Sequence, residues 1–343
     1  MVVDRSGPAG GRRRPVTDPR PRHLTGVPGD YAALNVYSRI IVDEALHRGI
    51  AVDVFDPARG GLLLRHGGRV VRTFESLSEL TTAVAFRICD DKRLTREVLE
   101  RAGIPVPPGR TATFDEADEA FLAGHGELVV KPVQGEGGAG VTVGVTTADE
   151  LDEARRAAQP AGAAVLLEAH CPGEDLRVVV IAGEVVAASV RRPAEVVGDG
   201  RRTVEELIRA RSEERQAATG GASRIPLDDT TRRVVSQAGH SLDDVLDDGV
   251  TLRVRRTANL HTGGTIHDVT HGLHPALAVA AVAVAWAIDI PVIGVDLVVE
   301  GADRPDFVVI EANEQPGLAN HEPQPTAERF VDLLFPETAA GRP

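Results

Sequence analysis

Lysine is nearly absent from this 343-residue chain: Lys92 and Lys131 are its only two, and the rest of its 38 basic residues are arginine. A chain that uses arginine elsewhere keeps lysine where a compact ammonium on a flexible stem must reach a single phosphate oxygen, which a planar guanidinium cannot do. Aromatics are scarce as well, at 3%, so the 42% apolar content has to build its core from Val, Leu, Ala and Ile. Only two cysteines occur, Cys89 and Cys171, far apart and without metal-type spacing. That suggests neither a disulfide framework nor a zinc site and fits a reducing cytoplasm. The longest apolar stretch, residues 276–288, is too short and too Ala-rich to span a bilayer. A basic surplus is also missing. The formal charge of −13 argues against nucleic-acid or anionic-membrane partners, both of which need a basic face, so any anionic ligand has to be met locally.

Residues 1–30 carry Arg, Pro and Gly with almost no apolar periodicity and lack the apolar segment of a secretory signal, which reads as a disordered basic tail. An N-terminal α/β lobe is expected over 31–105, with a helix at 37–47, a strand at 51–55 and a hairpin around Gly67 and Gly68. A helix opening at Asp90 and ending at Gly103 meets Pro105, Pro107 and Pro108, which mark a hinge. An α+β lobe follows over 106–190, with strands at 127–131, 141–145, 165–168, 176–181 and 185–190 and a helix at 149–158. The lobe over 191–336 starts with a helix at 204–211 and a polar, mobile excursion at 211–223. It closes with a helix at 275–287, strands at 292–300 and 307–312, and a helix at 326–334. Residues 337–343 form a short tail.

Gly135, Gly137 and Gly140, with Gly138 between them, spell G-x-G-x-x-G, a motif shared by dinucleotide sites, kinases and ordinary turns. Its context narrows the choice. A dinucleotide fingerprint opens a helix, whereas Val141, Val143 and Val145 alternate with Thr142 and Gly144 as a strand does. Walker A is excluded because no Gly-Lys-Ser/Thr follows. Strand, glycine loop, strand makes either a structural turn or a flap whose N–H groups close over phosphates. Lys131 ends the strand that feeds this loop.

Asp296 lies inside the apolar run 292–298, and Glu311 with Asn313 ends the run 307–310. A desolvated carboxylate costs several kcal/mol unless it is paired or holds a metal. Glu311 and Asn313 are two apart, hence on one strand face. The three form an oxygen set suited to Mg²⁺; the alternative is strand-end carboxylates paired with arginines.

These pieces resemble the ATP-grasp superfamily over residues 35–336. The resemblance is carried by Val129-Val130-Lys131-Pro132 with its glycine loop, by the stretch from Leu167 to Arg177, and by Gly294-Val295-Asp296 followed by Ile310-Glu311-Ala312-Asn313. Residues 192–200 and 257–265 are similar to the branch of cyanophycin synthetase and bifunctional glutathione synthetases. Residues 38–45, 75–81, 89–92 and 320–330 resemble the ATP-grasp half of the N-acetylglutaminylglutamine synthetase family.

The resemblance implies an α+β ATP-grasp fold, two α+β lobes clamping a nucleotide behind a small N-terminal lobe. It implies ligation of a carboxylate to an amine through an acyl phosphate. It places Lys92 and Lys131 on the phosphates, Gly135, Gly137, Gly138 and Gly140 in the closing flap, and Ala169, His170 and Cys171 along adenine. Glu168 would sit beside the adenine amino group and Asp175 on the ribose. Arg255 would meet the γ-phosphate and acyl phosphate, with Lys131 and Asn259 as further catalytic residues. Asp296, Glu311 and Asn313 would hold two Mg²⁺, with Mn²⁺ as a substitute. Arg177, Arg192, Gly263 and Gly264 fall on the substrate side. Amino acids or dipeptides are the implied small-molecule partners, with a separate acetyltransferase or amidotransferase in the pathway. Two rivals stay open: another ligase of the branch, and a module that binds ATP without turnover.

Overall fold

A computed structural model describes residues 27–135, 137–159, 163–219, 221 and 223–339. The expected tails lie largely outside them, in residues 1–26 and 340–343. The chain starts with α1 (Val36–His47), β1 (Ala51–Asp56), β2 (Gly61–His66), β3 (Arg69–Phe74) and β4 (Leu77–Ser78), the strands forming one antiparallel sheet in chain order. Next come α2 (Ala83–Asp90) and α3 (Lys92–Arg101). The sequence pointed to one helix opening at Asp90; there are two, with Asp91 as the break. Asp91 Oδ1 accepts from the Arg93 and Leu94 N–H groups, both at 3.1 Å, and so caps α3, while Thr82 caps α2.

The flap lobe holds β5 (Gly109–Thr111), α4 (Glu116–His125), β6 (Leu128–Pro132), β7 (Thr142–Val145), α5 (Ala148–Ala158) and β8 (Val165–Ala169). Its sheet order is β5-β8-β6-β7, packed on the two helices through Leu122, Leu128, Val130, Leu151 and Leu167. β6 and β7 flank the glycine loop, as the alternation required.

β9 (Glu174–Ile181) and β10 (Glu184–Arg192) form a hairpin. A small lobe then comprises β11 (Glu195–Val197), α6 (Val204–Ala218), α7 (Asp229–Gln237) and β12 (Thr251–Arg253), around Val204, Leu207, Ile208, Val235 and Leu252. α6 runs through most of the segment expected to be a mobile excursion, and α7 was not anticipated. The polar residues after Arg211 are good helix formers, and a capping box of Thr203 and Glu206 starts the helix. Long-range ties hold its far end: Ser212 Oγ donates to the Ile225 carbonyl at 3.0 Å and Arg215 Nη2 to that of Gly264 at 2.5 Å.

The last elements are β13 (Thr265–Asp268), α8 (Pro275–Ile288), β14 (Val292–Val299), β15 (Phe307–Asn313) and α9 (Thr326–Leu334). The central antiparallel sheet has the order β13-β10-β9-β14-β15. The boundary expected at residue 190 therefore falls inside β10. Alternation along these strands sorts the side chains. Leu176, Val178, Val190, Ile293, Val295 and Leu297 bury one face against α8, α2 and α3. On the other face Val179, Ile181, Ala187 and Val292 pack under the N-terminal lobe and α9. The remaining half of that face is polar and open. α8 carries no charge; its outward side shows Trp286, the chain's one tryptophan, 74% exposed.

Candidate functional site

The polar half of the central sheet is the floor of a cavity of about 790 Å³, roofed by the glycine loop and walled by Arg253 and residues 256–261. Strand register sets the floor. Arg191 pairs with Asp175, Arg177 with Asp296, Asp296 with Glu311, and Gly294 with Asn313. A bulge at Ile310 frees its carbonyl, which accepts from Lys131 Nζ at 3.2 Å.

Both lysines face this cavity. Lys131 is 7% exposed, with its ammonium 2.6 Å from Glu168 Oε2. Lys92 Nζ donates to the Gly135 carbonyl at 2.8 Å and lies 3.1 Å from Glu311 Oε1, so it ties the flap to the sheet. Gly135, Gly137 and Gly138 line the cavity with φ of 130°, 65° and 75°, a region in which side chains are strained. Asn259 donates to the Gly137 carbonyl and accepts from the His261 N–H at 2.9 Å, holding the flap from the other wall.

Asp296 is 2% exposed, and both its oxygens are engaged. Arg177 binds it through Nε and through Nη2 at 2.8 Å, and Arg191 reaches it at 2.6 Å. Burial opposes ionisation, yet the two guanidiniums hold its carboxyl far below the usual range. Gly294 makes room for this: a Cβ there would lie 2.9 Å from Arg177 Nη1. Asn313 Nδ2 reaches Asp296 Oδ2 at 3.3 Å. Asp296, Glu311 and Asn313 thus stand together on one face as hard oxygen donors, which fits Mg²⁺ on phosphate oxygens. Their charges are met here by Arg177, Arg191 and Lys92. No cluster of three or more His, Cys, Asp or Glu arranged for a metal occurs among the described residues.

Several expected roles meet a different geometry. Arg255 does not line the cavity: it is 8% exposed and donates to Asp228 at 2.6 Å and Thr231 at 3.1 Å, inside the small lobe. Arg253 and Arg256 are the arginines of that segment that line it. Gly263 and Gly264 cannot clamp a carboxylate with N–H groups already donated to Leu260 and Asn259. They are glycine for close packing, since a Cβ on Gly263 would lie 2.4 Å from Ile225 and one on Gly264 2.8 Å from the Asn259 carbonyl. Gly140 likewise abuts α5, where a Cβ would lie 3.2 Å from the Ala157 carbonyl. In the stretch expected to follow adenine, the N–H groups of Ala169 and His170 go to the carbonyls of Pro108 and Glu127. Glu168 is buried on Lys131 and Arg96. Burial and Glu168 push the Cys171 thiol up, the reverse of what a nucleophilic thiolate needs. Asp175 lines the cavity, raised by burial against the pull of Arg191. Arg192 sits at the rim, 3.7 Å from Glu174.

Arg191, Tyr37 and Asn320 also line the cavity and were missed. Alternation carried the signal for Arg191: Ala188 and Val190 face the core, so Arg191 faces the cleft. Tyr37 and Asn320 are far apart in sequence and had no local signal.

Residues 89–246 match the ATP-grasp domain family. A cyanophycin synthetase from Nostoc sp. is 33% identical over 91% of this chain and 36% of its own length. A glutathione biosynthesis bifunctional protein from Clostridium perfringens is 28% identical over 89% of this chain and 42% of its own. The chain thus spans well under half of these curated relatives. The crystal structure of a bifunctional glutathione synthetase from Pasteurella multocida superposes with a TM-score of 0.63 at 24% identity, covering 90% of this chain and 44% of that one. No helix among the described residues is long and apolar enough to cross a membrane. The chain has the ATP-grasp fold and is related to the cyanophycin synthetases and the bifunctional glutathione synthetases.

Proposed function

We propose that this chain is an ATP- and Mg²⁺-dependent ligase that joins a carboxylate to an amine and releases ADP and phosphate. One observation carries the reading: two buried lysines and a glycine flap face the oxygen set of Asp296, Glu311 and Asn313 across a single cleft. The flap glycines and lysines would bind and orient the triphosphate. A carboxylate oxygen of the donor attacks the γ-phosphorus, and the bond to the β-phosphate oxygen breaks with its electron pair leaving on ADP. An amine lone pair then attacks the acyl carbon, phosphate departs with the C–O electron pair, and the amine nitrogen gives up a proton.

Phosphoryl transfer needs positioning and charge neutralisation more than covalent help. Mg²⁺ on Asp296, Glu311 and Asn313, as one or two ions, would supply further neutralisation of phosphate oxygens. Arg177 and Arg191 line the same cleft and would meet anionic oxygens of the substrate.

The resemblance over residues 320–330 supports a glutamine- or glutamate-containing dipeptide product of the N-acetylglutaminylglutamine type. The two kinds of relative support the wider class of amino-acid and peptide ligases. Incubation with ATP, Mg²⁺, a panel of amino acids, N-acetylglutamine and dipeptides tests both levels through ADP release and product mass. Donor- and acceptor-dependent ADP release is expected, with a glutamine or glutamate dipeptide among the products. ATP binding without ADP release under every combination would leave only a nucleotide-sensing module.

A further inference from the structure

α3 serves both lysines of the cleft. Lys92, in its first turn, touches the glycine loop and Glu311 directly. Arg96 follows one turn later on the same face of the helix and meets Lys131 through Glu168. Its side chain is 11% exposed and lies behind the cleft rather than in it, beside β5, where a Cβ on Gly109 would come within 2.9 Å of Nη1. Nη1 donates to the Pro107 carbonyl and stands 3.5 Å from Glu168 Oε1, while Nη2 donates to Glu100 Oε1 at 2.6 Å. Glu168 Oε2 is the oxygen that the Lys131 ammonium touches at 2.6 Å. A carboxylate 3% exposed thus stands between two cations, the lysine close and the arginine further off.

Phosphate changes this balance. A contact of 2.6 Å between ammonium and carboxylate is a full charge-assisted bond, so a phosphate oxygen takes Lys131 only in competition with Glu168. A buried carboxylate that loses its counter-ion is strongly destabilised, which alone would keep the lysine where it is. Arg96 removes that obstacle. Its guanidinium is charged in any surroundings and has donors to spare, and from 3.5 Å a small side-chain shift brings Nη1 to hydrogen-bonding distance of Glu168. Pro107 and Glu100 keep it out of the cleft, so it stays with Glu168 while the lysine turns to the ligand.

Resting on the ligase reading, in which Lys131 meets the triphosphate, we propose that Arg96 is a positioning residue of the nucleotide site: it is the reserve counter-ion of Glu168 and so releases the Lys131 ammonium to phosphate. Arg96 itself touches no substrate. The test measures ATP affinity by calorimetry in the presence of Mg²⁺ for the wild-type chain, Arg96→Gln, Glu168→Gln and the double variant, with thermal melts to show that each is folded.

Arg96→Gln is expected to weaken ATP binding about tenfold, the worth of one charge-assisted contact. Glu168→Gln removes the charge that competes for Lys131, so in that background the same Arg96→Gln change should cost less than about threefold. A residue that merely supports the fold would cost the same in both backgrounds, and that result would overturn the inference while leaving the ligase reading standing. Wild-type ATP affinity in Arg96→Gln would overturn it equally. Should Arg96→Gln not melt cooperatively, Gly109→Ala, whose Cβ would press on Nη1, takes its place in the two backgrounds under the same criteria. A wild-type chain that binds no ATP would overturn the ligase reading itself.

Discussion

Lys131 is held on two sides, by the Glu168 carboxylate and by the carbonyl that the β15 bulge releases. A guanidinium could satisfy Glu168, but it is too broad to end in one point charge between that carboxylate and a phosphate. Lys131→Arg is therefore expected to keep the fold and lose one to two decades of kcat/KM, about 1.5–3 kcal/mol for a charge-assisted contact. Steady-state ADP release together with a thermal melt checks both halves; wild-type turnover would refute it.

His321 offers a different test. It is 6% exposed, and burial, with Arg177 and Arg191 adding to it, lowers its pKa to about 4. The unfolded chain, with histidine near 6.5, then binds the extra proton between pH 6.5 and 4, so stability falls as pH drops through that window. The contribution is roughly 3 kcal/mol at its lower end. His321→Gln should flatten that part of the profile of denaturant midpoint against pH; an unchanged slope would show that other groups carry it.

At the scale of elements, much of the fold was legible where periodicity is strong. The strand, glycine loop, strand unit and the apolar runs that became β14 and β15 follow from alternation alone. So does the placing of Glu311 and Asn313 on one face. The small lobe was not legible, because α6 beyond Arg211 has little apolar stripe and is held by Ser212 and Arg215 reaching partners distant in sequence. Arg255 was misread for a related reason. Its neighbours Arg253 and Arg256 line the cleft, and only the packing of α7 beneath it shows that its own guanidinium belongs to Asp228 and Thr231.

Gly263 gives this scale its prediction. With φ of 93° and a would-be Cβ 2.4 Å from Ile225, Gly263→Ala should destabilise by about 1–3 kcal/mol from backbone strain and overpacking. It should also displace Asn259 from the flap. Urea unfolding, with protease sensitivity of the glycine loop, measures each effect; wild-type values in both would show that the turn tolerates a side chain.

Across the whole molecule, the cleft draws from every lobe: Tyr37 from the first, the glycine loop from the second, Arg256 and Asn259 from the segment after the small lobe, and the Asp296, Glu311 and Asn313 set from the central sheet. Lys92 and Asn259 both bind carbonyls of the glycine loop, so that loop is tied down from two sides. Glu311→Gln keeps the shape of the site, frees Lys92 from its partner and removes one negative charge from the oxygen set. Nucleotide affinity is expected to change little while turnover falls steeply and the Mg²⁺ concentration for half-maximal rate rises. Calorimetric ATP binding and a Mg²⁺ titration of ADP release separate the two, and an unchanged Mg²⁺ requirement would count against this metal site.

The position of Trp286 decides how such measurements can be read out. The chain's single indole stands 74% in water on the outward side of α8, beside the turn at Gly183 and across the central sheet from the cleft. Its native emission is expected to be that of a hydrated indole, so unfolding should shift the spectrum little and a ligand in the cleft should barely perturb it. Optical work on this protein calls for a reporter introduced on the flap, or for circular dichroism, because its native fluorophore stands on the far side of the central sheet from the cleft.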